Sequence, residues 1–441
     1  MNKMRYGFCL GATALAWAWS GISTPVHAQG APASGPIPAF DSITAFGQQM
    51  GQAGIYFNLG YTEDFSRLVA GTPKVGTSPI GHANAGVTFD LERLIGIPEA
   101  SVHVIFEERN GRSNAGGTDI GLNQNAGPVK YRLVQFYWEQ GFLNDQIDIQ
   151  VGRTEPTLEF AVSDLSCTSV TGIFCAQPGT WYSQNVNKAY PAAEWGGRIN
   201  LAVTPQIYFK VGAYEDTTLS NGFLPAGFDW RTSGSTGVFI PAEVGYLTGF
   251  GSARLPSKYD VGFWYDTSQY TVGNQPGNPT VTGRQGGYIQ LQQTVWRPDP
   301  KTNQSLTLFG GAIWYNNSPA YTGQYYAGLY DRAPWGASRP LDSIGLYGTM
   351  ATINQSDTAC SPINCTGTPH RGAPFDKTFL FEVNYGFGIL PGLTAKPYAA
   401  WSVQPFTQAN PAARVENGVA LGVEFTVVFE QLFNFPVFIP H

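Results

Sequence analysis

Asn417-Gly-Val-Ala-Leu-Gly-Val-Glu-Phe-Thr-Val-Val-Phe429 is the stretch on which the reading of the whole chain turns. Val419, Leu421, Val423, Phe425, Val427 and Phe429 fall on one face. Gly418, Ala420, Gly422, Glu424 and Thr426 fall on the other. Period-2 alternation over that length is a strand with one greasy face and one small or polar face. A soluble sandwich turns such a greasy face inward. A transmembrane barrel turns it outward to lipid, and lines a watery lumen with the glycines and Glu424.

The first residues bear on that choice. Lys3 and Arg5 make a positive start, Tyr6 to Trp19 an apolar stretch, and Val26-His27-Ala28 a small-residue cleavage site before Gln29. The pattern predicts a secretory signal peptide over 1–28. A retained anchor helix is the weaker alternative, because the run falls short of the ~20 apolar residues that cross a bilayer. No later segment reaches that length. Export of the mature chain is expected.

Composition points the same way. Only 13% of residues are charged, against roughly 25% in an ordinary globular domain. Aromatics reach 14%, and glycines number 53. Such a chain suits a sheet-rich protein with a large surface that does not face water. The net charge of -6 argues against nucleic acid or another polyanion as partner.

From residue 55 onward strand-like runs follow one another with no sustained helical period, roughly fifteen in all. Residues 29–54, rich in Ala, Pro, Gly and Gln, read as a mobile or plug-like N-terminal segment. The connections alternate in length. Short ones include Ile95-Gly-Ile-Pro-Glu-Ala100, Phe142-Leu-Asn-Asp145 and Leu390-Pro-Gly392, and long ones include 110–130, 154–192 and 353–376. Tight turns at one end and long loops at the other are the layout of an outer-membrane barrel, here one domain over 55–429. Residues 430–441 form an apolar tail containing proline. Either Phe433, Phe435 and Phe438 extend the last strand, or the tail is an addition.

Alternation then assigns faces. Ile199, Leu201 and Val203 point to lipid, leaving Glu194, Arg198 and Asn200 in the lumen. Tyr259, Val261, Phe263 and Tyr265 oppose Lys258, Asp260, Trp264 and Asp266. Val102, Val104 and Phe106 oppose His103, Ile105, Glu107 and Arg109. After loss of Cys9 with the signal, four cysteines remain as two close pairs, Cys167/Cys175 and Cys360/Cys365. In an oxidising compartment these predict two small disulfide-closed loops. A metal site is the rival, but neither stretch has His or carboxylate ligands at a convincing spacing.

Several motifs go further. Arg132-Leu-Val-Gln-Phe-Tyr-Trp-Glu-Gln140 is followed by Ile147-Asp-Ile-Gln-Val-Gly-Arg153 and by a cysteine-containing loop with Phe160-Ala-Val-Ser-Asp164. Lys258-Tyr-Asp-Val-Gly-Phe-Trp-Tyr-Asp-Thr267, Arg339-Pro-Leu-Asp-Ser-Ile-Gly345 and Leu390-Pro-Gly-Leu follow, and then Asn417-Gly-Val-Ala-Leu-Gly. In this order the set resembles the carbohydrate-selective OprB-type porins of Gram-negative bacteria, over roughly 55–429. The resemblance implies an antiparallel barrel of about sixteen strands in the outer membrane. Glucose and related sugars would pass it passively, through a constriction of arginines, carboxylates and aromatics. It also implies outer-membrane lipids and the barrel assembly machinery as partners, no cofactor, and a monomer or homotrimer.

The expected constriction residues are Glu107, Arg109, Arg132, Arg153, Glu194, Arg198 and Trp264. Arg and Glu exchange hydrogen bonds with sugar hydroxyls, and an indole face stacks on the C–H side. Arg132 and Arg153 come from the family motif, the others from alternation. By simple parity Arg132 shares a face with Val134, Phe136 and Trp138, and Arg153 with Ile149 and Val151. Either a bulge or a strand end turns these two inward, or they are interfacial anchors. An outer-membrane enzyme is a poor rival, for no Gly-x-Ser-x-Gly elbow occurs. A closed structural barrel without sugar selectivity is the other alternative.

Overall fold

The computed structural model describes residues 38–71, 78–111, 130–172 except 164 and 166, 193–217, 228–271 except 229, 233, 250 and 252, 280–316, 321–354, 375–405 and 415–439. The signal peptide expected over 1–28 lies outside the described residues, as do Cys175, Cys360 and Cys365.

Sixteen antiparallel strands close into one barrel in which each strand pairs with its sequence neighbours, and the first pairs with the last. They are β1 (Ile55–Ala70), β2 (Ser78–Asp90), β3 (Ala100–Gly111), β4 (Lys130–Phe142), β5 (Ile147–Thr154) and β6 (Glu194–Ala202). Next come β7 (Ile207–Thr217), β8 (Ser235–Thr248), β9 (Ser257–Thr271), β10 (Thr280–Trp296) and β11 (Ser305–Asn316). The rest are β12 (Tyr321–Arg332), β13 (Ser343–Ile353), β14 (Lys377–Leu390), β15 (Leu393–Val403) and β16 (Gly418–Val428). Helices α1 (Asp41–Gln52), α2 (Leu91–Ile95) and α3 (Phe429–Leu432) all lie at the end of the barrel that carries the short turns.

The barrel is inside-out relative to a soluble protein. Val261 is 49% exposed on the outer wall, whereas its neighbour Asp260 is 2% exposed on the inner one. The same inversion separates Leu291 from Gln290 and Val383 from Glu382. Closure also removes the unpaired edges that an open sheet would leave in lipid.

Inner-wall glycines are seats for rings. Gly262 pairs with Tyr288 across β9 and β10, and a Cβ there would lie 2.0 Å from the Tyr288 ring. Gly286 likewise lies under Trp264. The many glycines therefore let bulky lumenal aromatics lie flat against a neighbouring strand.

One boundary differs from expectation. The last strand ends at Val428, and Phe429 opens α3 instead of closing the strand. Phe433, Phe435 and Phe438 do not extend β16. They fold back on the rim, where Phe433 meets Phe40 and Phe435 covers Gly47 of α1. The described part of the N-terminal segment is a 3-10 turn and α1, docked through Phe46 on the outward-facing Phe57. Arg93 donates from Nη1 to the Gly51 carbonyl and holds its C-terminal end.

Candidate functional site

After β5 the described residues of 155–172 turn into the lumen and run along its inner wall toward β14. Ala161 N donates to Glu243 Oε2 of β8 at 3.0 Å and to the Tyr288 hydroxyl of β10 at 3.2 Å. Gln290 Nε2 donates back to the Ala161 carbonyl at 2.9 Å. Lys210 and Lys258 donate to the Glu159 and Val162 carbonyls. At the far end Glu382 accepts from Val170 N (2.9 Å), Thr171 N (2.8 Å) and Thr171 Oγ1 (2.6 Å). Asn384 Nδ2 and the Tyr347 hydroxyl hold Thr168.

A backbone crossing a barrel has many amide groups to satisfy away from its own sheet. Here wall carboxylates take the N–H groups, and ammonium and amide groups take the carbonyls. Phe160 and Leu165 add apolar contact with Tyr214 and the other inward aromatics.

The expected constriction residues divide into three groups. Glu107 and Arg109 face the lumen on β3, with Arg109 Nε donating to Glu107 Oε1 at 2.7 Å. His82 Nε2 of β2 approaches the same oxygen at 3.1 Å. Arg132 joins them. Between Ile105 and Phe106 the β3–β4 register steps from Gln135 to Leu133, so Val134 is an extra residue. That bulge inverts the parity of β4 beyond it and places Arg132 opposite Glu107. Arg132 feels the charges of Glu107, Glu155 and Arg109. Glu155, at the root of the inward segment, thus faces the same basic cluster.

Glu194 and Arg198 also face inward, but Arg198 is a strut. It is fully buried, with Nη2 to Glu139 at 2.7 Å, Nη1 to Asp148 at 2.7 Å and Nε to Glu159 at 3.1 Å. Glu194 is buried on β6, near Asp216, Asp266 and Arg284 at the long-loop end. Trp264 faces the lumen as expected, yet is 1% exposed, packed between Phe239 and Tyr315 over Gly286. That is a correction: its ring offers no open face to a sugar.

Arg153 is the second correction. No bulge intervenes, and it pairs with the outward Phe136 and with Trp195. Its guanidinium lies 5.9 Å from the ring centroids of both Trp195 and Trp230 and donates to the Ala193 carbonyl at 2.8 Å. It is an anchor on the outer wall, outside the channel. Trp230 and Phe228 of the β7–β8 connection fold down over that wall, against Phe136 and Phe106.

A lumen crossed by a pinned segment and faced by basic and acidic side chains is the build of a diffusion channel. The family model for the carbohydrate-selective porins, OprB family, matches residues 74–429. This chain belongs to the OprB carbohydrate-selective porin family. Among OprB relatives, Porin B of Pseudomonas aeruginosa is 26% identical over 377 residues, covering 78% of this chain and 80% of its own. The high-pH structure of Pseudomonas putida OprB superposes with a TM-score of 0.76 at 21% identity, over 86% of this chain and 95% of that one. The low-pH structure of the same protein reaches 0.54 at 17% identity, over 86% and 94%. These likenesses establish the barrel fold. With the family, they make the chain an outer-membrane porin and a channel, not an enzyme.

Several OprB-site residues escaped the sequence reading. Alternation put Lys258 on the inner wall, and the same parity holds for Lys210 and Glu382. Nothing local told which of them would hold a loop from a distant part of the chain. Glu155 and Glu159 were passed over because they lie on that loop, where period-2 logic has no purchase.

Proposed function

We propose that this porin passes glucose and related sugars by passive diffusion. In this reading the narrow part of the path lies between the inward segment 155–172 and the wall of β2–β4. The observation that carries it is the meeting of His82, Glu107, Arg109 and Arg132 with the root of that segment at Glu155. Each hydroxyl around a sugar ring both donates and accepts, and a row of guanidinium and carboxylate groups can exchange hydrogen bonds with it. The grip has to stay weak for the solute to leave.

We also propose that Cys167 pairs with Cys175 and Cys360 with Cys365. The first bridge would stiffen the inward loop and so hold the gauge of the channel constant. Contacts with outer-membrane lipid and with the assembly machinery belong to the same proposal, as does a monomeric or homotrimeric state.

Planar-bilayer conductance and liposome swelling test the sugar reading. Glucose should enter proteoliposomes faster than an uncharged non-sugar solute of equal size, and should reduce the ion current as its concentration rises. A current insensitive to glucose, with no preference in swelling, would leave a general barrel without sugar selectivity.

A further inference from the structure

The chain continues past the residue at which its family's match ends. Residues 74–429 match, so α1 and β1 on one side and the chain from Glu430 on the other are outside it. α1 and the tail pack on each other. Thr44 Oγ1 donates to the Phe433 carbonyl and Gln48 Nε2 to the Asn434 carbonyl, both at 2.8 Å. Phe435 and Pro436 press on Gly47 and Gly51 of α1, where a Cβ would lie 2.1 and 2.2 Å from them.

The seam explains why the tail runs where it does. β1 and β16 pair only from Gly60 and Val428 upward, so Ile55–Leu59 extend beyond the end of β16. The Glu430 carboxylate accepts from Leu59 N on that strand edge, which would otherwise be a template for another strand. From there the tail crosses the rim. Phe435 touches the outward Phe57, while three residues later Phe438 touches Tyr56 and His103, which face the lumen. His103 stacks on Tyr137 and meets Glu139 at 3.2 Å; Glu139 in turn binds Arg198. The tail thus enters the channel next to the network that braces the inward segment.

We propose that Phe438 is a pore-lining residue which narrows the short-turn mouth of the channel, a second restriction beyond the one at 155–172. Residues 430–436 clasp the seam and Phe438 works on the permeation path. An aromatic ring in a mouth restricts by size and by displacing water, whatever the solute. The inference rests on the lumen geometry and not on sugar preference, so ion conductance alone tests it.

Two variants separate the path from the clasp: Phe438→Ala, and a chain ending at Val437. Both retain Glu430, Phe433 and Phe435. Each should conduct ions better than the full chain, by about 1.5-fold, with unchanged heat-modifiable mobility on gels. Phe438→Cys in the otherwise complete chain provides an independent reading. Reaction with a bulky thiol reagent should lower the current, whether or not the truncated chain assembles. Unchanged conductance in a correctly assembled Phe438→Ala variant would overturn the proposal, and so would full labelling of Phe438→Cys with no change in current.

Discussion

The guanidinium of Arg198 on β6 reaches Glu159 on the inward segment at 3.1 Å while its other nitrogens hold Glu139 and Asp148 on the wall. One side chain therefore joins β4, β5 and the loop that crosses the lumen. Removing it takes the guanidinium from Glu139, Asp148 and the buried Glu159 together. Breaking a buried ion pair in this way costs about 3–5 kcal/mol. Arg198→Ala should lower the temperature of barrel unfolding and raise current noise for every solute alike. A selective loss of sugar block with normal thermal stability would mean that Arg198 binds sugar directly.

Arg109 and Arg132 should behave differently, for each meets the lumenal cluster around Glu107. Replacing either by Ala should weaken glucose inhibition of the ion current by about tenfold, the value of a hydrogen bond to a charged group. Arg153→Ala should leave that inhibition unchanged. Its effect should be on the outer-wall aromatic cage, at about 0.5–2 kcal/mol, and thermal unfolding would register it. A loss of sugar block in Arg153→Ala alone would return it to the channel.

Glu382 is the far anchor of the inward segment. Glu382→Ala takes the acceptor from Val170 N, Thr171 N and Thr171 Oγ1 together. Each buried group left unsatisfied costs about 1–3 kcal/mol. Amide exchange at 170–171 should accelerate and mean conductance should shift, while the barrel strands keep their protection. Exchange at those two amides equal to wild type would show that other contacts hold the end of the loop.

The seam clasp should depend on pH. Burial pushes the Glu430 carboxyl up to about 7, against the opposing pull of its backbone N–H partners, Leu59 among them. A carboxyl raised in the folded state holds its proton there at pH values where the unfolded chain has lost it. Its contribution is full below the ordinary carboxylate range and is lost as pH rises through about 7. The tail should resist proteolysis better at pH 5 than at pH 8, and Glu430→Gln should flatten that difference. A tail equally resistant at both values in the unaltered chain would refute the titration.

Much of the barrel was legible in local pattern. The alternation of Val419 to Val427 against Gly418 to Thr426 is visible in neighbouring residues, and it gave the correct inward assignment of Glu424, which pairs with Lys396 at 3.0 Å. The same logic placed Glu107, Arg109, Glu194 and Arg198. It stopped at Arg132, because a bulge is a mismatch between two strands and neither strand alone records it. Trp264 shows a different limit: its facing was readable, but the rings of Phe239 and Tyr315 that cover it come from other strands.

Alternation, the contrast of short turns with long loops, low charge and the ordered family motifs were enough to specify a lipid-facing barrel, because each is local in the chain. Two features waited for the closed structure: the inward course of 155–172 and the return of the tail to Tyr56 and His103. Both arise from contacts between residues far apart in sequence, such as Thr171 with Glu382 and Leu59 with Glu430. Only closure of the barrel brings such pairs within bonding distance, and burial then makes each unpaired polar group too costly to leave.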